Sequence, residues 1–159
     1  MKKVISLLIC LILTFSFAAA EQTVTLPGTG YAVDLPDGLR YSAPEIADEG
    51  VHAWVSDTLE MDCQVYPREK VAAFGETGSL RESAEKLAEK GAEVELRDVN
   101  GIEMLVYRLK DSADGAPGIG YVFEYGDMIV EVIFWYATQE AADETKTIME
   151  SIRNTDSPT

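Results

Sequence analysis

Apolar and polar positions between residues 21 and 153 alternate mostly with a period of two, the period of a strand with one buried face. Thr23-Val24-Thr25-Leu26 reads as a short strand, Pro27-Gly28-Thr29-Gly30 as a turn, and Tyr31-Ala32-Val33-Asp34-Leu35 as a second strand. Pro36-Asp37-Gly38 closes this opening hairpin, because proline lacks a backbone donor and glycine permits the turn. Residues 40–50 are polar and irregular. Val51–Ser56 and Leu59–Tyr66 are the next two strands, joined at Asp57-Thr58. In the second, Leu59, Met61, Cys63 and Val65 fall on one face, with Glu60, Asp62 and Gln64 on the other. That places Cys63 in the core.

The period then changes. Ser79 with Glu82 three residues on is a capping box, and Leu80, Ala84, Leu87 and Ala88 line one stripe of an amphipathic helix that stops at Gly91. Strand periodicity returns over Glu93–Val99 and Ile102–Leu109, with Asn100-Gly101 between them, the preferred pair for a type I′ hairpin. Residues 110–118 form a polar loop. Ile119–Tyr125 and Met128–Tyr136 make another hairpin around Gly126-Asp127. The last of these strands is apolar on both faces, broken only by Glu131, which marks a central strand covered on both sides. A final helix is expected from about Gln139 to Arg153, with Thr138 as N-cap. The predicted order is β-β-β-β-α-β-β-β-β-α, a meandering antiparallel sheet with two amphipathic helices on its faces, hence an α+β fold.

This order resembles the PsbP-like superfamily, which holds the photosystem II extrinsic protein P, a Ran-binding import factor and many bacterial exported proteins. Tyr31-Ala-Val-Asp-Leu-Pro-Asp-Gly38 is similar to that family's aromatic-x-aliphatic-x-x-Pro-x-Gly start. The aromatic-rich strand and the following helix ending Ile148-Met149-Glu150-Ser151-Ile152 are similar to its close. The resemblance spans residues 23–153. It implies an antiparallel sheet between helices and a non-enzymatic role in binding or assembly, and it carries over no catalytic residue.

The segment before the domain changes the setting. Met1-Lys2-Lys3, an apolar run from Val4 to Leu13 and Ala18-Ala19-Ala20 have the order of a secretory signal, with cleavage expected after Ala20. The apolar run is shorter than a bilayer span requires. Cys10 follows Ile9 in mid-run, which does not fit a lipid-attachment site. The reading is therefore residues 1–20 as signal peptide, 21–153 as one α+β domain and 154–159 as a flexible tail, in a secreted or extracytoplasmic protein. Removing 20 of 159 residues leaves 139, enough for one packed domain. Cys63 is then the only cysteine, so no internal disulfide forms.

The chain has 28 acidic and 13 basic side chains, net −15, and loss of Lys2 and Lys3 with the signal takes it to −17. Charge of that sign argues against nucleic acid as partner and against a direct electrostatic grip on anionic lipid. It suits cations, basic partners or solubility.

Candidate chemistry is sparse. His52 is the only histidine and shares a strand face with Trp54; no partner that would orient it is evident, and its face is not expected to coincide with that of Cys63. One histidine and one mature cysteine do not make a zinc site. Asp111 and Asp114, in Asp-Ser-Ala-Asp-Gly, are weak candidates for a calcium loop, without the alternating acids and distal glutamate of an EF-hand. Asp48 with Glu49 and Glu60 with Asp62 read as solvated pairs, and Glu60 with Asp62 lacks a visible cleft for glycoside hydrolysis. Gly75–Gly78 precedes a helix N-terminus, but Glu76 and Glu82 repel an anion there. Aromatic residues crowd the strands, most of them core, with tyrosine and tryptophan also suited to an interface. The expectation is no catalytic residue, no cofactor and a non-catalytic binding domain with a protein partner. A small-ligand or calcium binder is the alternative, and a hydrolase comes after it.

Overall fold

The computed structural model describes residues 22–42, 50–73, 79–110 and 115–156. The strands are β1 (Gln22–Thr25), β2 (Tyr31–Leu35), β3 (Arg40–Ser42), β4 (His52–Val55), β5 (Leu59–Pro67), β6 (Val94–Val99), β7 (Ile102–Leu109), β8 (Gly118–Tyr125), β9 (Met128–Tyr136) and β10 (Arg153–Asn154). The helices are α1 (Arg68–Ala73), α2 (Leu80–Glu89) and α3 (Gln139–Glu150). The α+β class expected from sequence is the class observed, and every described strand pairing is antiparallel.

The strands form two sheets. A seven-stranded sheet runs β3-β4-β5-β9-β8-β7-β6, and a three-stranded one runs β1-β2-β10. Strand β9 is fourth of seven, as its two apolar faces required. Its pairing with β5, from Leu59↔Tyr136 to Pro67↔Met128, joins the β3–β5 meander to the β6–β9 meander.

The inner face of the large sheet carries Met61, Cys63, Val130, Val132, Phe134, Tyr121, Phe123, Met104 and Val106, all buried. The small sheet and α3 cover it, supplying Val33, Leu35, Ala141, Ile148, Met149 and Ile152 to the same core. Leu105 points to the opposite face from its neighbours Met104 and Val106 and is only 2% exposed. Helix α2 packs on β6 and β7 from that outer side, and its Arg81 pairs with Glu103 there. The seven-stranded sheet is thus the middle layer, between α2 outside and α3 with the small sheet inside.

Local signals give the caps as read. Ser79 Oγ accepts from Glu82 N–H at 3.2 Å, and Thr138 Oγ1 accepts from Ala141 N–H at 3.1 Å. Asn100 and Gly101 take φ of 53° and 82°, the left-handed pair of the expected hairpin turn.

Four expectations need correction. Arg40–Ser42, read as irregular, is an edge strand because Tyr41 and Trp54 face each other across the β3–β4 register. Helix α1, directly after β5, is a third helix where the sequence reading placed no element. Ala88, assigned to the packed stripe of α2, is exposed. Helix α3 ends at Glu150, not Arg153, and the segment expected to be a flexible tail from Asn154 is held through Asp156. Arg153 and Asn154 pair with Ala32 and Tyr31, Thr155 N–H donates to Gly30 O at 2.7 Å, and Tyr125 Oη donates to Asp156 Oδ2 at 2.9 Å. Backbone donors that a helix would have satisfied go to the small sheet instead.

Candidate functional site

Residues on the outer face of the large sheet are set by strand register. One row across it reads Ala53, Asp62, Ile133, Gly120, Tyr107 and Val94; the next reads Arg40, Val55, Glu60, Trp135, Gly118 and Leu109. Glycine at positions 118 and 120 leaves two gaps in β8 on this face, and aromatic rings fill both. A Cβ on Gly118 would meet the Trp135 indole at 2.7 Å, and one on Gly120 would collide with the Tyr107 ring. Both rings therefore occupy space that side chains at positions 118 and 120 would take.

Their polar ends define the rest of the surface. The Trp135 indole fills the space over Gly118, and its side chain also favours the ionised form of the Asp62 carboxyl on the neighbouring strand β5. Tyr107 Oη crosses β8 to donate to Glu131 Oε1 at 2.5 Å, and Tyr66 Oη donates to Glu131 Oε2 at 3.3 Å. Glu131, the lone charge in an apolar strand, is held by these two phenols. Glu60, Asp62, Tyr66, Tyr107, Glu131, Ile133 and Trp135 are all half-buried. The result is a low aromatic floor with three carboxylates set around it.

The electrostatics follow from that partial burial. Desolvation, with the neighbouring Glu60 charge second, pushes the Asp62 carboxyl up to about 6, while the Trp135 side chain works against the shift. Tyr107 and Tyr66 are raised well above the usual phenol range, by burial first and by the Glu131 charge second. Neither phenol ionises near neutral pH, so both remain donors to Glu131.

The candidates read from sequence fall elsewhere or behave differently. Cys63 is fully buried, and burial pushes its thiol up to about 12, so it is no nucleophile. His52 and Cys63 are direct register partners and do share the inner face, contrary to the sequence expectation, because the two-residue turn at Asp57-Thr58 fixes that register. His52 is instead engaged at the sheet edge, with its Nδ1 3.0 Å from Tyr41 Oη. Asp111 and Asp114, Asp48 with Glu49, and Gly75–Gly78 lie outside the described residues. Among the described residues, no three His, Cys, Asp or Glu side chains gather as a metal site would require.

Glu60 and Asp62 were legible as a pair on one strand face. What sequence reasoning missed is that Trp135, Tyr107 and Glu131 join them. The signals were present, as Gly118 and Gly120 at alternate positions of a strand and a single glutamate in an apolar one. Further concavities among the described residues are open grooves. One of 510 Å³ lies between Pro36 and the acidic side of α3, at Glu140, Asp143 and Glu144, and brings together no catalytic pair. Among the described residues no helix is long and apolar enough to cross a membrane.

No protein-family model matches the chain, and no curated protein does. Solved structures do. A crystal structure from Bacteroides thetaiotaomicron superposes with a TM-score of 0.57 at 10% identity over 84% of this chain. It is similar over 48% of its own length, so this chain spans about half of it. The solution structure of cyanobacterial PsbP from Synechocystis superposes with a TM-score of 0.55 at 14% identity, covering 86% of this chain and 93% of that one. The fold is PsbP-like.

Proposed function

We propose that this PsbP-like domain is a non-catalytic binding protein that works outside the cytoplasmic membrane by holding another protein. The observation that carries the reading is the outer sheet face. Half-exposed rings set over glycine, with Glu60, Asp62 and Glu131 around them, form a contact surface on which, among the described residues, no nucleophile is paired with a base. Support for the compartment comes from residues 1–20, with the charge, apolar run and alanine-rich end of an export signal. Support for the non-catalytic role comes from the buried thiol of Cys63 and from His52, whose Nδ1 is engaged by Tyr41.

The test is site-specific photocrosslinking in the producing cell. A crosslinker at Gln64, on the outer face, should give an adduct with one discrete protein in the extracytoplasmic fraction. One at Asp143, on the acidic side of α3, should give none. Absence of any discrete adduct from position 64 overturns the proposal, and an adduct from position 143 alone moves the contact to the other side of the molecule.

A further inference from the structure

We propose that the outer face takes an extended peptide segment bearing arginine, its guanidinium laid on the Trp135 indole and paired with Glu60 and Asp62. This deepens the protein-binding reading above and rests on it.

Geometry supports it first. Trp135 is opposite Glu60 in the β5–β9 register, and Asp62 lies two residues along the same strand face. The half-exposed indole occupies the space over Gly118, which has no side chain to displace it. A planar cation stacked on an indole gains from the ring's negative face, and a carboxylate at the ring's edge adds a charge-assisted hydrogen bond. A guanidinium satisfies both at once, whereas an ammonium is a compact charge with no plane to stack.

Charge complementarity supports it second. Glu60, Asp62 and Glu131 carry the surface, and the whole chain is net −15. The cations near it are at the margins. Arg40 sits two strands beyond Glu60 on the same row, and Arg68 is paired with Glu124 at 3.0 Å near the start of α1. Glu131 already accepts from two tyrosines, which leaves Glu60 and Asp62 as the acceptors for a ligand.

The state of Asp62 in the free protein fits as well. A carboxyl pushed up to about 6 by desolvation and by Glu60 is one that an incoming cation relieves. A metal ion is the weaker candidate, since no third His, Cys, Asp or Glu joins Glu60 and Asp62 among the described residues.

The experiment titrates the purified full-length protein with a tetra-arginine peptide amide, its citrulline counterpart and its lysine counterpart. The indole N–H resonances of Trp54 and Trp135 are followed by NMR. The expected result is a shift of the Trp135 signal with arginine, weaker with lysine and absent with citrulline, while buried Trp54 stays put. Glu60→Gln with Asp62→Asn should weaken arginine binding by at least about tenfold, as loss of two charged acceptors at one site implies. Equal response to citrulline overturns the proposal. So does an arginine response unchanged in the double variant, which would be general attraction to a polyanion. A discrete crosslinked partner that contacts position 64 without an arginine would leave the protein-binding reading standing and sink this one. Arginine binding without any crosslinked partner would do the reverse.

Discussion

At Asp62 the fold accepts a cost. Its carboxyl is raised from 3.8 to about 6, so folding favours the protonated form relative to the unfolded chain. For an acid shifted upward, the penalty is absent below the unfolded value near 4, grows as pH rises through about 6 and is fully present above it. Asp62→Asn should therefore leave stability unchanged near pH 3.5 and raise it at pH 7.5. Two units correspond to ~3 kcal/mol at most, and for a half-buried side chain screened by water about 1 kcal/mol is the reasonable expectation. Urea midpoints at the two pH values measure it; equal gains at both would show that ionisation is not the cause. If the arginine site is correct, the same exchange stabilises the protein while weakening the ligand, a trade common at binding sites. Gly120 is the complementary case. Gly120→Ala forces the Tyr107 ring off the sheet and breaks its 2.5 Å bond to Glu131, and overpacking of this kind costs about 1–3 kcal/mol. Thermal melts should show the loss, and pairing it with Tyr107→Ala should remove most of it, since the collision is then gone.

Elements were legible where their signals are local. The Asn100-Gly101 turn, both helix caps and the four hairpins depend on neighbours within a few residues. Each was readable from period-two alternation and turn chemistry. What was not legible depends on contacts far apart in sequence. The pairing of β5 with β9, the separation of β1 and β2 into their own sheet, and the two-residue strand β10 all depend on which buried surfaces meet. The site divides the same way. Glu60 and Asp62 follow from one strand's pattern, but the effect of Trp135 on Asp62 and the reach of Tyr107 to Glu131 need three strands in register. Asn100 shows a local signal with a distant second role. Its Nδ2 donates to Glu150 O and Ile152 O, both at 2.9 Å, so the hairpin turn also holds the carbonyls at the end of α3. Asn100→Gly should keep the turn and lose both bonds, at about 1–2 kcal/mol. Asn100→Ala should cost roughly 1 kcal/mol more, because alanine resists the left-handed backbone. Equal denaturation midpoints for the two variants would mean that the turn conformation contributes nothing.

Across the whole molecule, the two sides of the large sheet have different work. The inner face is closed by α3 and the small sheet into one continuous apolar cluster, and on the outer face α2 packs over β6 and β7, while among the described residues α1 meets β5 and β9. A partner on the outer face can therefore bind without the core opening. Replacement of outer-face residues at positions 60, 131 or 135 should alter binding with smaller stability losses than Met61→Ala or Phe134→Ala, which empty fully buried sites at ~2–5 kcal/mol. The small sheet has a consequence of its own. Strands β1 and β10 flank β2 and both run opposite to it, so they run parallel to each other. Gln22 lies beside Leu35, while Asn154 leaves beside Tyr31, at the other end of β2. Tension applied between the two ends of the domain thus acts along the strands and loads their hydrogen bonds together, in shear, where pulling across the ladder would open them one at a time. The two-residue β10 is the weaker grip, reinforced by Arg153 on Asp34 at 2.7 Å and by Thr155 on Gly30. In a single-molecule stretching experiment, Thr155→Ala with Asp156→Ala should lower the rupture force, and Glu144→Gln should leave it unchanged. A fold loaded this way resists force along the line joining its own ends.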